Sequence, residues 1–195
     1  MHSTRYQSLL LTGIILFCIL ITNCTAENQQ KEISQEVTNP DVTTVEPASS
    51  TFSWTKLPLT DAVTGEVFTL DELAKQGKPV IVQTFAVWCP ACSMQLRETA
   101  RLTAGLPDAY TLVGLDIDPN DNLNSVKRHV EKNNFTGRYT ASPAEVTRGL
   151  VETFGKSFAL EIPQTIIICN QTVNLIGSGV FNEGTLKEIL AEACV

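Results

Sequence analysis

Apolar and polar positions follow one another in blocks that predict alternating strands and helices from Trp54 onward. Two largely apolar runs, at residues 80–87 and 110–118, are bounded by turn residues, which is typical of strands buried on both faces. Elsewhere apolar residues recur every three or four positions, the spacing of a helix with one buried face. The predicted helices cover residues 90–106, 120–134, 143–154 and 182–194. Pro143, with Ser142 as its cap, opens the third of these helices.

Shorter strands complete the pattern. A turn at Thr64-Gly65 predicts a β-hairpin at the start of the folded part, and a tight turn at 170–172 predicts a second hairpin near the C-terminus. Residues 138–142 predict a short strand between two helices. Alternation of strands and helices, followed by a hairpin and a last helix, indicates an α/β domain with a mixed central sheet flanked by helices.

The first 24 residues differ from the rest of the chain and are expected to direct it out of the cytoplasm. Residues 9–22 are almost wholly apolar, a stretch shorter than the roughly 20 apolar residues of a membrane span but long enough for the core of a secretory signal. The run ends at "ITNC", which resembles the lipobox of prokaryotic lipoproteins and predicts a lipid anchor on Cys24. An uncleaved anchor helix and plain secretion are the alternatives.

Residues 25–52 are predicted to be a flexible, acidic tether, and residues 53–195 the folded domain. The tether is rich in Thr, Glu, Gln, Ser and Pro and has few large apolar residues, so it cannot bury a core. The whole chain has a hydrophobic fraction of 43% and a formal net charge of -7, and its basic residues are scattered. This composition is typical of a globular protein and argues against a nucleic-acid partner.

The sequence Trp-Cys-Pro-Ala-Cys, at residues 88–92, joins the first buried strand to a predicted helix. A thiolate at a helix N-terminus is stabilised by unpaired backbone N–H groups and by the positive end of the helix dipole, which favours a reactive thiol. Haem attachment needs a histidine after the second cysteine, where Ser93 stands. A zinc ribbon needs a second close pair, whereas Cys169 and Cys194 are 25 residues apart. The spacing therefore leaves two interpretations of Cys89 and Cys92 open, an inert structural disulfide and a redox-active dithiol.

Two motifs resemble the thioredoxin superfamily, and the upstream "TGEVFTLDELAKQGKPVIV" resembles the opening of its extracytoplasmic TlpA/ResA-like branch. One is Phe-Ala-x-Trp-Cys-x-x-Cys at the strand–helix junction, and the other is "EIPQT" before a later strand, which is similar to the cis-proline loop of the superfamily. The resemblance covers residues 54–194. It implies a thioredoxin-like fold with an inserted strand and helix near residues 138–154, and a thiol–disulfide oxidoreductase that needs no cofactor and no metal ion.

The resemblance also assigns roles to individual residues. Cys89 attacks a disulfide of a partner protein, and Cys92 resolves the mixed disulfide that forms. The residues expected to bind the substrate are Trp88, Pro90, Ile162 and Pro163. The implied partners are client proteins that carry a disulfide or a dithiol, together with a membrane redox partner. The Pro-Ala dipeptide between the cysteines leaves the direction of electron flow open.

Two other functions on the same fold stay open as alternatives. Cys89, Cys92 and Met94 are soft ligands suited to Cu(I), so a copper chaperone is the first. Copper bound one-to-one by the reduced protein would favour it. A thiol peroxidase is the second, and consumption of peroxide by the dithiol without a partner protein would favour that function.

The usual proton acceptors of the superfamily are missing from this chain. Gln83 stands six residues before the first cysteine, where many thioredoxins hold a buried acid that accepts a proton from the second cysteine. Gln95 stands where ResA-like relatives often carry a glutamate. Because an amide cannot take a proton, we expect the step that resolves the mixed disulfide to be slow near neutral pH.

Three further residues have expected positions. Cys169 and Cys194 are expected at the pole of the domain away from the dithiol, as two free thiols or, alternatively, as a structural disulfide. His129 is expected on a solvated helix face.

Overall fold

The apolar blocks of the sequence form the strands and helices that their spacing predicts, with ends that move by a few residues. The computed structural model describes residues 43–44, 52–170 and 172–194. The strands are β1 (Thr43–Thr44), β2 (Leu59–Thr60), β3 (Val67–Phe68), β4 (Val80–Phe85), β5 (Thr111–Asp116), β6 (Arg138–Ala141), β7 (Gln164–Cys169) and β8 (Thr172–Ser178). The helices are α1 (Leu70–Ala74), α2 (Pro90–Gly105), α3 (Leu123–Asn133), α4 (Ala144–Phe154) and α5 (Glu183–Ala193).

The sheet is mixed, and β4 lies in its middle. Strand β5 pairs with β4 in parallel, and β7 pairs with it antiparallel. The full order is β1-β8-β7-β4-β5-β6, and β2 and β3 form a separate antiparallel hairpin. The predicted α/β class, the mixed sheet flanked by helices, the N-terminal hairpin and the strand–helix pair β6–α4 are confirmed.

Alternate residues of β4 pack into two different cores. Ile81 and Phe85 belong to the core that α2, α3 and α5 cover, whereas Val80 and Val82 belong to the core that α1 and α4 cover. All six residues of β4 are buried, which is why its sequence is largely apolar on both faces, with Gln83 and Thr84 as its two polar residues. Both cysteines of the motif belong to the first core. The face of Ile81 and Phe85 is therefore the dithiol face of the sheet.

The buried carboxylate of Asp61 fastens the N-terminal hairpin to the edge strand β6. Its Oδ2 accepts a hydrogen bond from the backbone N–H of Tyr139 at 3.1 Å, and its Oδ1 accepts from the N–H groups of Val63 at 2.9 Å and Thr64 at 2.7 Å. The N–H of Ala62 donates to the carbonyl of Tyr139 at 2.7 Å. The exposed side of β6 is thus hydrogen-bonded where an edge strand normally offers free backbone groups.

The prediction that Ser142 caps α4 is wrong. The helix begins at Ala144, with Pro143 in the cap position and no capping side chain. The hydroxyl of Ser142 instead accepts a hydrogen bond from the Thr147 hydroxyl at 2.9 Å.

A short 3₁₀ helix at Ser53–Lys56, which the sequence pattern does not predict, begins the continuous described part of the chain. It buries the indole of Trp54, whose N–H donates to the hydroxyl of Thr153 at 3.1 Å. A Cβ at Gly149 would lie 2.6 Å from the Cβ of Trp54, so this glycine leaves room for the indole. Trp54 therefore anchors the start of the domain to α4.

Most of the N-terminal predictions concern residues that the structure does not describe. The signal or anchor at 1–24, with Cys24, lies outside the described residues, as does the tether at 25–52 except for Thr43–Thr44 and the last residue. Thr43–Thr44 pairs antiparallel with β8. Among the described residues, no helix has the length and apolar character needed to cross a membrane.

Cys169 and Cys194 form a disulfide, which corrects the expectation of two free thiols. Cys169 ends β7 at the pole opposite the dithiol, and Cys194 follows the last turn of α5. Their Cα atoms lie 5.4 Å apart, inside the range that a disulfide spans. The bond ties the C-terminal helix to the middle of the sheet.

We predict that Cys194→Ser lowers the free energy of unfolding by roughly 3 kcal/mol, because the disulfide joins residues 25 positions apart and so restricts the unfolded chain. Denaturant unfolding of the oxidised proteins measures the difference. The double variant Cys169→Ser, Cys194→Ser serves as the control and should match the single variant. Peptide mapping that finds two free thiols in the unreduced wild type would contradict the prediction.

Candidate active site

The first cysteine of the motif stands at the N-terminus of α2, directly beyond the end of β4. The N–H of Cys89 donates to the carbonyl of Ala86 at 3.0 Å, which turns the chain from strand to helix. Cys89 occupies the N-cap position and Pro90 the first helical position, where its missing N–H leaves no bond unmade. The N–H of Ser93 donates to the carbonyl of Cys89 at 3.1 Å and closes the first turn.

Cys89 and Cys92 form a disulfide across this first turn, with their Cα atoms 5.3 Å apart. The N–H of Cys92 donates to Sγ of Cys89 at 3.1 Å. That contact, with the positive end of the helix dipole, favours negative charge on the first sulfur when the bond opens. Cys89 is 5% exposed and Cys92 is 0% exposed, so the first cysteine is the one that solvent reaches.

The indole of Trp88 lies on the surface beside the dithiol and is 66% exposed. A single hydrogen bond fixes its position, because its N–H donates to Oδ2 of Asp118 at 2.6 Å. The same bond lowers the pKa of Asp118 below its ordinary value. Trp88 thus presents an apolar face next to Cys89 while its polar edge is held by a carboxylate.

The predicted cis-proline loop is confirmed, since the Ile162–Pro163 peptide bond is cis. The carbonyl of Pro163 accepts a hydrogen bond from Gly179 at 3.0 Å. The side chain of Ile162 packs against the core that contains both cysteines. Within the described part of the chain, the backbone N–H and C=O of Ile162 have no hydrogen-bond partner. Leu160, two residues earlier, is 83% exposed.

Two glutamines and a threonine replace the missing acids on the dithiol face. The amide of Gln83 donates to the hydroxyl of Thr99 at 2.6 Å, and the amide of Gln95 donates to the same hydroxyl at 3.1 Å. The carbonyl oxygen of Gln95 accepts from the N–H of Phe181 at 2.5 Å. All three side chains are buried, and Oε1 of Gln83 has no partner among the described residues. This chain of neutral groups cannot take up a proton.

Gly114 lies opposite Gln83 in the register of β4 and β5. A Cβ at this position would overlap the ring of Tyr139, and it would also lie 3.1 Å from the ring of Phe85. The ring of Tyr139 therefore fills the space beside Gly114, and neither Gly114 nor Gln83 brings a charge to this part of the core.

The end of β5 and the loop after it carry three carboxylates on the dithiol side of the sheet, a feature that the sequence analysis missed. Asp116, 1% exposed, pairs with Phe85 across β4 and β5. Burial raises the pKa of Asp116 to about 7, and the charges of Asp121 and Asp118 act in the same direction. The signal in the sequence is a row of acids at the carboxyl end of a parallel strand, where α/β proteins form their sites.

His129 does not lie on a solvated helix face, which corrects the expectation. Its ring is half-buried and stacks on Phe85, and its Nε2 lies 3.3 Å from the Ser93 hydroxyl, next to the second cysteine. Burial lowers the pKa of His129, with the charges of Lys132 and Arg97 as further causes. Its position in the helix, three residues after the buried Val126, is the signal that could have placed it on the inner face.

The three residues of the copper alternative differ in bonding and in exposure. The two cysteines are joined in a disulfide, whereas Met94 is 50% exposed and lines a cavity with Arg97 and Arg101. In the described ranges, no group of three or more His, Cys, Asp and Glu side chains is arranged to hold a metal ion.

Comparison with known structures supports the fold. A secreted disulfide oxidoreductase from Mycobacterium tuberculosis, homologous to E. coli DsbE, is 16% identical, with 72% of this chain and 98% of that chain covered and a TM-score of 0.57. A thiol:disulfide interchange protein of the thioredoxin family from Chlorobium tepidum is 22% identical, with 70% and 92% covered and a TM-score of 0.58. A DsbF homologue from Corynebacterium diphtheriae is 17% identical, with 70% and 83% covered and a TM-score of 0.55.

No curated protein matches the chain in sequence. The family model described as Redoxin matches residues 35–183, which is most of the chain. Together with the structural likeness, this match confirms the resemblance to the thioredoxin superfamily. The chain belongs to the Redoxin family, and its closed Cys89–Cys92 pair is the dithiol of a thiol–disulfide oxidoreductase.

Proposed function

We propose that this protein is a membrane-tethered, extracytoplasmic oxidoreductase that exchanges disulfides with client proteins through Cys89 and Cys92. The observation that carries the proposal is the disulfide closed across the first turn of α2, with only the first sulfur in reach of solvent. A disulfide in that position opens and closes without unwinding the helix. Its two states therefore differ little in backbone structure.

The reaction has two steps. In the reduced protein the Cys89 thiolate attacks a client disulfide, and a mixed disulfide forms while one client sulfur leaves as a thiolate. The Cys92 sulfur then attacks Sγ of Cys89, the second client sulfur leaves, and the Cys89–Cys92 disulfide closes. Two electrons pass from the dithiol to the client. The same steps in reverse oxidise a client dithiol.

The client is proposed to bind in the cleft between Trp88 and the cis-proline loop. The unpartnered backbone groups of Ile162 can pair with an extended client segment, as an added strand pairs with a sheet edge. The exposed side chains of Trp88 and Leu160 add apolar contact on either side. Pro90 and Pro163 shape the floor of the cleft. Specificity then depends mainly on backbone pairing, which suits a protein with several clients.

The extracytoplasmic location and the membrane tether rest on the N-terminal sequence and on likeness. The apolar run at 9–22 and the lipobox-like "ITNC" support export and lipidation of Cys24. A similar structure belongs to a secreted disulfide oxidoreductase. A tether of this kind would keep the domain close to a membrane redox partner, which restores the dithiol or the disulfide after each turnover.

We predict that Cys92→Ser traps client proteins. Cys89 can still attack, but no second thiol resolves the mixed disulfide, so covalent complexes accumulate. Non-reducing electrophoresis detects them, and a reductant dissolves them. Cys89→Ser is the matched control and should trap nothing. Complexes that appear with Cys89→Ser and not with Cys92→Ser would reverse the two roles.

We predict that Gln83→Glu speeds the resolving step near pH 7 by up to roughly 100-fold, because a carboxylate in this position can accept the Cys92 proton. The same change should lower the free energy of unfolding, since it buries a carboxyl group without a cation beside it. Stopped-flow tryptophan fluorescence across the pH range measures the rate. Gln83→Leu is the control, and an equal gain in that variant would show that a base is not the cause.

The anchor has its own test. Wild type should enter the detergent phase when a membrane extract is separated with a phase-separating detergent, and Cys24→Ala should move to the aqueous phase because it cannot be lipidated. Detergent partitioning of both proteins would mean that an uncleaved helix forms the anchor. Aqueous partitioning of both would mean that the protein is secreted without one.

A further inference from the structure

Two buried carboxylate oxygens, one at the end of β5 and one in the loop after it, have no hydrogen-bond partner in the described part of the chain. They are Oδ2 of Asp116 and Oδ2 of Asp121, and each is unsatisfied among the described residues. The two carboxyl groups lie within hydrogen-bonding reach of each other, which is one of the causes that raise the pKa of Asp116. Two ionised carboxylates would repel at this distance, whereas a single proton between them satisfies both oxygens.

The sheet register places this pair close to the missing acid. Gln83 lies opposite Gly114, and Phe85 lies opposite Asp116, so Asp116 projects from the same face of the sheet as Gln83. It is one strand across and two residues nearer the edge at which Cys89 stands. A titratable group is therefore present on the dithiol face, displaced from the position where the sequence suggests looking for it.

One hydrogen-bonded path and one electrostatic interaction connect this segment to residues on either side of the dithiol. On one side, Oδ1 of Asp116 accepts from the N–H of Asp118 at 3.0 Å, and Asp118 in turn holds the Trp88 indole. On the other side, the charge of Asp121 acts on His129, whose ring nitrogen lies beside the Ser93 hydroxyl. The segment thus contacts Trp88, which precedes Cys89, and acts on His129, which lies beside Ser93.

The charges around Asp116 favour its protonated form. From its own loop it faces the carboxylates of Asp118 and Asp121. Strand β6 contributes Tyr139, whose pKa is raised by burial, and α3 contributes His129, whose pKa is lowered by burial, so both are neutral near pH 7. In the described part of the chain, no cation is among the groups that act on Asp116.

We propose that Asp116 and Asp121 share one proton and serve as the proton store of the dithiol, in place of the acid missing at Gln83. The inference rests on the proposed function. During resolution the proton of the Cys92 thiol passes to the ionised pair, and the resulting thiolate attacks Sγ of Cys89. The Cys89–Cys92 bond forms as the bond to the client breaks. The client leaves as a thiolate and receives the proton.

The first test is the pH profile of resolution in Asp116→Asn. Asparagine has the same shape and can donate to Asp121, so the loop keeps its hydrogen bonds. In wild type the rate should rise with pH around pH 7, where Asp116 ionises. In Asp116→Asn the rise should move to the pH at which a thiol ionises, and the rate at pH 7 should fall at least about tenfold. Adding Gln83→Glu to this variant should restore the rate at pH 7.

The matched control is Asp108→Asn, which removes a carboxylate whose side chain is 98% exposed and that pairs with Lys78. Its profile should overlay that of wild type. An Asp116→Asn profile that also overlays wild type would overturn the inference. Wild type that exchanges no disulfide at all would overturn the proposed function instead.

A second readout needs no activity. Difference infrared spectra of wild type below pH 7 should contain the C=O stretch of a protonated, hydrogen-bonded carboxyl group, and Asp116→Asn and Asp121→Asn should each lose it. The dependence of stability on pH should follow the same titration of Asp116. The protonated form of Asp116 stabilises the fold at low pH, and this contribution is lost as the pH rises from 3.8 through about 7. Spectra without that band in wild type would show that no proton is shared.

Discussion

The junction between β4 and α2 is the constraint on which the rest of this molecule depends. A strand buried on both faces fixes the direction of the chain, and the turn between Ala86 and Cys89 starts the helix within four residues of the strand's end. Both sulfurs and the exposed indole take their positions from that junction, and the cis-proline loop leads into β7, which pairs with β4. Parallel pairing of β5 with β4 then brings the end of a second strand, with its acids, to the same edge.

The fold and the dithiol follow from the sequence because their signals are local. Apolar runs, Pro90 at a helix start and the "EIPQT" loop each depend on a few neighbouring residues. The features that the sequence does not give depend on contacts between distant segments. Asp116 and Asp121 lie near the dithiol only because β5 pairs with β4 in the folded sheet. Trp54 depends on the space that Gly149 leaves for it. The Cys169–Cys194 bond likewise depends on where the last helix ends.

The core beneath the dithiol contains neutral polar side chains in place of charged ones. Gln83, Thr99 and Gln95 form one hydrogen-bonded row, and the ring of Tyr139 fills the neighbouring space above Gly114. A neutral row does not change its charge with pH, so it keeps the packing of α2 on the sheet independent of pH. The carboxyl group whose pKa burial raises, that of Asp116, lies at the end of β5 and outside this neutral row.

The hydrogen bonds from the Asp61 segment to β6 affect how the domain can contact other proteins. A free edge strand recruits any extended segment, including one from a second copy of the same chain, and so invites aggregation. Here the carboxylate and the Ala62 N–H already occupy the backbone groups of Tyr139, in the middle of that edge. An extended segment of another protein would therefore find the backbone groups of Tyr139 already paired.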